Sequence, residues 1–315
     1  MAAVGRFPAE VVPGGSAPAP APASGPPGSL GSPGARTALA AVAALALAGA
    51  LGGCAGSGAA AEGPSGEPQG VAAARAVGAA PDVLVRAGSS RVRTSMRMAS
   101  GGTWLTITGT GGFDYARRQG RLTLDLPEDA AGVAEHKPLT ELLTPGALYM
   151  KDRGAGVPAG KWVRVDTTRL PDGNLVTGGA TEPLAAAELL RGAGPVTFVG
   201  AETRDGVRVR HYRGTADIAR AAQAAPAADR GPLEAAAKGF TVTRVPFDAW
   251  LDSVGRLREL SQRFTFSAAG TRRGAGHNVT VVSTTRFDGF GTAVPVIMPR
   301  AADIWSGKIV SAQPQ

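Results

Sequence analysis

The sequence has a single cysteine, Cys54, only three histidines, and few aromatic residues, 5% in all. One thiol excludes an intrachain disulfide, so any folded domain must be held together by its apolar core. His136, His211 and His277 stand apart from one another, without the close His and Cys spacings that build zinc sites. Catalytic signatures are missing as well. There is no Gly-x-Ser-x-Gly elbow. The Gly160-Lys161 pair is followed by Trp162 where a phosphate-binding loop needs Ser or Thr, and Ala155 stands in place of its first glycine. Asp114, Asp166, Asp248, Asp252 and Asp288 fall near the ends of expected strands, where solvated carboxylates are ordinary. No enzyme activity, cofactor or metal is expected. The longest apolar run, residues 38–51, is shorter than the roughly 20 residues needed to cross a bilayer as a helix. Lysine is scarce: 28 arginines and 5 lysines give a formal net charge of +8. Such a surface suits anionic lipids or wall polymers. The basic residues are not interleaved with aromatics, so nucleic acid is not an expected partner.

What is present begins with the leader. Residues 38–51 are Ala, Leu, Val and Gly, with Arg36 just upstream, the pattern of a signal peptide. The run ends in Leu51-Gly52-Gly53-Cys54, which resembles the lipobox of bacterial lipoproteins. That resemblance implies a diacylglyceryl group on the Cys54 thiol and cleavage just before it. At about 0.8 kcal/mol per buried methylene, two acyl chains give stable attachment to the outer face of the cell membrane. Residues 55–70 are mostly Gly, Ala, Ser, Pro and Glu, too polar and small to order themselves. The expected layout is therefore leader and signal peptide over 1–53, lipidated cysteine and flexible tether over 54–70, and one domain over 71–315.

Alternation at period two dominates that domain. Val92, Thr94, Met96 and Met98 alternate with Arg91, Arg93, Ser95 and Arg97, as on a half-buried strand. The arginine row of Arg91, Arg93 and Arg97 reads as a solvated edge that opposes further pairing, with a face toward anionic headgroups as the alternative. Strands are also expected at 104–108, 121–126, 147–151 and 162–166. Asp205-Gly206 between 196–204 and 207–213 is the two-residue signal of a type I′ hairpin. A second hairpin is expected from 240–251 and 256–268 around Asp252-Ser253-Val254-Gly255. The last strand is 278–288. Helices are expected within 71–87, over 182–191 with Thr181 as its cap, and within 216–237, where Pro226 and Gly231-Pro232 should break the run.

Several short motifs occur in order: the Cys54 lipobox, Tyr149-Met150-Lys151 ahead of Trp162, Thr181-Glu182-Pro183-Leu184 with Leu189-Leu190, Asp205-Gly206, Trp250-Leu251-Asp252 before Gly255-Arg256-Leu257-Arg258, and Phe290-Gly291 before Val294-Pro295-Val296. Together they resemble the LppX/LprG family of actinobacterial lipoproteins and, more distantly, LolA and LolB. The resemblance implies an α+β fold: a single strongly bent antiparallel sheet, a half barrel, with short helices covering its concave face and an apolar cavity for acyl chains beneath them. Met96, Met98, Leu105, Ile107, Leu122, Leu124, Phe264 and Phe266 are the candidates for that inner face. The expected function is a lipid-anchored monomer outside the cytoplasm that binds or carries a lipid or lipoglycan. The alternative is a regulatory or scaffold lipoprotein of the same fold acting through contacts with a membrane protein.

Overall fold

In a computed structural model, residues 69–100, 103–126, 138–151, 157–177, 180–267 and 278–306 are described. Cys54, the leader and most of the tether lie outside the described residues, as do His136 and His277.

The alternating stretches are strands because one face of each is apolar and finds the same layer to bury against. In the first half these are β1 (Ser89–Ser100), β2 (Thr103–Asp114), β3 (Gln119–Asp125), β4 (Leu139–Thr144), β5 (Ala147–Lys151) and β6 (Trp162–Asp166). The second half supplies β7 (Ala193–Arg204), β8 (Val207–Asp217), β9 (Arg244–Asp252), β10 (Leu257–Ser267) and β11 (Asn278–Asp288). They form one antiparallel 11-stranded sheet in the order β6-β5-β4-β3-β2-β1-β11-β10-β9-β8-β7. The sheet is open, a half barrel, with β6 and β7 at its ends. Asp205 (φ 48°) and Gly206 (φ 76°) both have the positive φ that a type I′ turn requires.

Register puts Met96 opposite Ile107, Met98 opposite Leu105, and Leu124 opposite Gly109 on one face. Gly109 and Gly111 lie on this inner face of β2. A Cβ at the first would run into the Leu124 side chain and at the second into the Arg121 carbonyl. Only glycine allows β2 and β3 to fold this tightly onto each other.

Among the described residues there are five α-helices: α1 (Gln69–Gly78), α2 (Ala80–Ala87), α3 (Pro183–Glu188), α4 (Ile218–Ala224) and α5 (Ala227–Gly239). Helix α1 starts two residues inside the stretch expected as tether. After β11 the chain runs extended across the sheet. The Gly291 amide donates to the Ser89 carbonyl on β1, and the Trp305 amide donates to the Trp162 carbonyl at 2.7 Å. A bridge between Trp162 and Ile304 covers the β6 edge, which would otherwise offer unpaired backbone groups.

Four expectations need correction. The arginine row of β1 is not an edge: β1 is central, paired on both sides with β2 and β11. Pro232 does not break α5, which continues through it. Leu233 and Ala236 are buried against the core there, and that burial outweighs one missing amide bond. Thr181 does not cap α3. Its hydroxyl is fully buried and serves a tertiary contact instead. Finally, β4 was not expected, because Leu139-Thr140-Glu141-Leu142-Leu143 buries both faces and shows no alternation.

Candidate functional site beneath the helices

The concave face of the sheet meets the helices in two apolar clusters. Helices α1, α2 and α3 pack through Val77, Leu84 and Leu184, and the short turn after α3 through Leu190, on a large cluster that contains Ile107, Leu122 and Leu124. Helices α4 and α5 pack on a smaller one. There Ile218, Ala221, Ala222, Leu233 and Ala236 meet Met96, Phe264 and Val281 of the sheet, with Phe240 5.7 Å from Phe264 between ring centres. Met98 touches both clusters. Of the eight inner-face candidates, Met96 and Phe264 thus lie under α4 and α5, whereas Ile107, Leu122 and Leu124 lie in the larger cluster. Leu105 is half-buried on the same face, and the Phe266 side chain lies outside the described residues. The layer is closed. Met96 is 1% exposed, and Leu124, Phe264 and Val281 are each 0% exposed.

The helices are held very differently. Helix α3 is bonded to the sheet: Gln262 Nε2 donates to the Ala186 carbonyl at 2.9 Å. Just before it, Thr181 Oγ1 donates to the Leu175 carbonyl at 2.8 Å and lies 2.7 Å from Ser283 Oγ on β11. Arg191 then ties α3 to α2, reaching Glu188 at 2.6 Å and Asp82 at 2.7 Å. That guanidinium, through its hydrogen bond, holds the Asp82 carboxyl below its ordinary range.

Helices α4 and α5 bury three alanines, Ala221, Ala222 and Ala236, beside two larger side chains, Ile218 and Leu233; an alanine methyl group is worth about 0.8 kcal/mol when buried. Their polar attachments are few. Arg118 of the β2–β3 turn pairs with the buried carboxylate of Asp229 on α5. Gly173 packs against the Pro232 carbonyl so closely that a side chain there would collide with it. Glu182, at the start of α3, belongs to the same neighbourhood. Burial pushes its carboxyl up to about 7, against the opposing pull of Arg118 and of the Ala185 and Leu184 amides. Nearby, Tyr115 is buried with its hydroxyl 2.6 Å from Ser90 Oγ, and burial raises its pKa too.

Sequence reasoning missed this polar set, because Arg118, Glu182 and Asp229 are far apart in the chain and each looks like a surface residue. The one signal was Glu182-Pro183-Leu184, a motif whose first residue is half-buried beside Arg118. His211, by contrast, lies on the outer face, stacked 4.3 Å from the Trp250 ring and bonded at 2.6 Å to Asp248.

Sheet, helices and closed apolar layer define the class: an α+β half barrel with a helical cover on its concave face. No family profile matches the sequence, and no curated protein is detectably similar to it. Among solved structures the chain is similar to the lipoprotein LppX of Mycobacterium tuberculosis, at 12% identity over 74% of this chain and 100% of that one, with a TM-score of 0.41. It is also similar to LprF of Mycobacterium bovis, at 13% identity over 73% and 97% of the two chains and a TM-score of 0.36. A third is a LolA superfamily protein of Nitrosomonas europaea, at 12% identity over 71% and 94%, with a TM-score of 0.29. The half-barrel architecture expected from the sequence is the one observed.

Proposed function

We propose that the protein is a lipoprotein anchored through Cys54 to the outer face of the cell membrane, and that it binds a lipid by its acyl chains between the sheet and helices α4 and α5. One observation carries the reading: an apolar inner face is covered by short, alanine-rich helices that anchor on it through Ile218 and Leu233, beside a neighbouring helix bonded to the sheet through polar side chains. Because Met96, Phe264 and Val281 are sealed from water, an acyl chain enters only when α4 and α5 move outward. The chain then replaces the helices as the cover. Removing apolar surface from water supplies about 25 cal/mol per Å², so the acyl part dominates affinity.

The membrane anchor and the binding site are separate in this reading. A Cys54→Ala chain, purified without detergent, is expected to carry or take up one lipid, read by native mass spectrometry. A chain that neither carries lipid nor takes up labelled lipid, yet retains a specific membrane protein in a pull-down, would instead assign the fold to protein contacts.

A further inference from the structure

The outer face of the sheet, opposite the helices, carries a groove of about 500 Å³. Its size falls within the roughly 300–1,000 Å³ of small-molecule sites. Arg91, Arg93, Arg204, Arg258 and Arg286 all line it. One wall is the tip of the β7–β8 hairpin. In sheet order β8 is four strands from β1, a distance of about 19 Å at roughly 4.8 Å per strand. Even so, Asp205 at the hairpin tip lies 3.8 Å from Arg93 on β1, and Arg204 donates to Glu259 on β10 at 2.6 Å. The tip therefore curls back over the outer face and turns an open surface into a groove.

The floor is built from arginines that are fixed but not used up. Arg91 donates to Asp288 at 2.7 Å and Arg286 donates to Glu259 at 3.0 Å, each through Nε. That arrangement leaves the two terminal nitrogens of each side chain for another acceptor. Arg258 has no carboxylate partner among the described residues, and its guanidinium lies 5.3 Å from the centre of the Phe290 ring. Five guanidiniums thus share three lining carboxylates, Asp205, Glu259 and Asp288, and Arg204 also pairs at 3.1 Å with Glu202 just outside the groove, which leaves an excess of one positive charge. A phosphate group matches this demand better than a carboxylate. It offers more oxygens and more charge, and the planar arginine fork fits it with paired bonds.

We propose that this outer groove binds a phosphate ester, a chemistry shared by anionic lipid headgroups and soluble sugar phosphates. The site is independent of the acyl-chain layer, which lies on the opposite face. Arg258 and Arg286 are its main free donors, and the ion pairs of Asp288 and Glu259 hold the floor in place before the ligand arrives.

Calorimetric titration of the full chain with sn-glycerol 3-phosphate at low salt tests this directly. Arg258→Gln is expected to weaken binding by about tenfold, the loss of one charge-assisted contact. Arg263→Gln removes the same charge from the same strand and face, but outside the groove, and is expected to change affinity less than about twofold. Flotation with phosphatidylcholine vesicles, with and without phosphatidylglycerol, distinguishes the source. Recruitment that needs phosphatidylglycerol and is lost in Arg258→Gln assigns the headgroup. Glycerol phosphate binding without such recruitment assigns a soluble ester. Equal weakening by the two substitutions would reduce the effect to general surface charge and overturn the proposal, as would an absence of binding by the unaltered chain.

Discussion

Glu182 makes the stability of the domain depend on pH in a direction opposite to most paired carboxylates. Its carboxyl is raised from an ordinary 4.5 to about 7, chiefly by burial. Between those values the folded protein keeps a proton that the unfolded chain has already lost. The contribution of Glu182 to folding stability is therefore full below about pH 4.5 and declines as pH rises, and it is lost as pH passes through about 7. At 1.36 kcal/mol per pH unit the total is at most about 3 kcal/mol, an upper bound because the side chain is half-buried. Glu182→Gln keeps the shape and mimics the protonated acid, so it removes the decline. Urea unfolding followed by circular dichroism is the assay. Near pH 4.5 the two proteins should unfold at similar urea concentrations, and near pH 8 the substituted protein should be more stable by up to about 3 kcal/mol. Parallel stability curves across that range would show that Glu182 is not buried in its protonated form, and would refute the reasoning.

The attachment of α5 makes its own prediction. Arg118→Ala leaves the Asp229 carboxylate without its guanidinium, and is expected to cost roughly 2 kcal/mol, below the fully buried case because Arg118 is partly exposed. Hydrogen exchange should then speed up in 218–239 before the rest of the domain, and labelled lipid should be taken up faster; unchanged exchange there would show that the ion pair does not hold the cover. Phe264→Ala should destabilise the domain by about 3–5 kcal/mol, read by thermal melting, and enlarge the space beneath α4 and α5. At the bend of the sheet, Gly111→Ala sets a methyl group against the Arg121 carbonyl and should lower the melting temperature sharply. Cys54→Ala should shift the protein from the membrane to the soluble fraction after a salt wash; a protein that stayed behind would have another anchor.

The strands were legible because alternation reports a half-buried face directly. Val92 to Met98 shows this, as does Asp205-Gly206, whose required φ values few other pairs tolerate. Strand β4 was not legible: with Glu141, Leu142 and Leu143 all buried, nothing alternates. Pro232 misled because local propensity ignores what Leu233 and Ala236 gain from the core. For Thr181 the pull came from Ser283, 102 positions away. Met96 and Phe264 are buried beneath α4 and α5, and no pattern in the sequence names the helix that covers them. Arg118, Asp229 and Glu182 meet only once the sheet is bent and α5 is laid over it. The outer groove depends on a hairpin folding back across four strands, a distance no local pattern encodes. The arginine row was visible and its position was misjudged, because a charged face on a central strand and a charged edge have the same alternation.

The most direct test of the central claim follows hydrogen exchange in α4 and α5 while the Cys54→Ala chain takes up a labelled diacyl lipid. The account predicts one lipid per chain, with exchange altered in 218–239 and in the strands bearing Met96 and Phe264, and little change in α3. Saturation with lipid that left those segments unaltered, or no uptake at all, would contradict it.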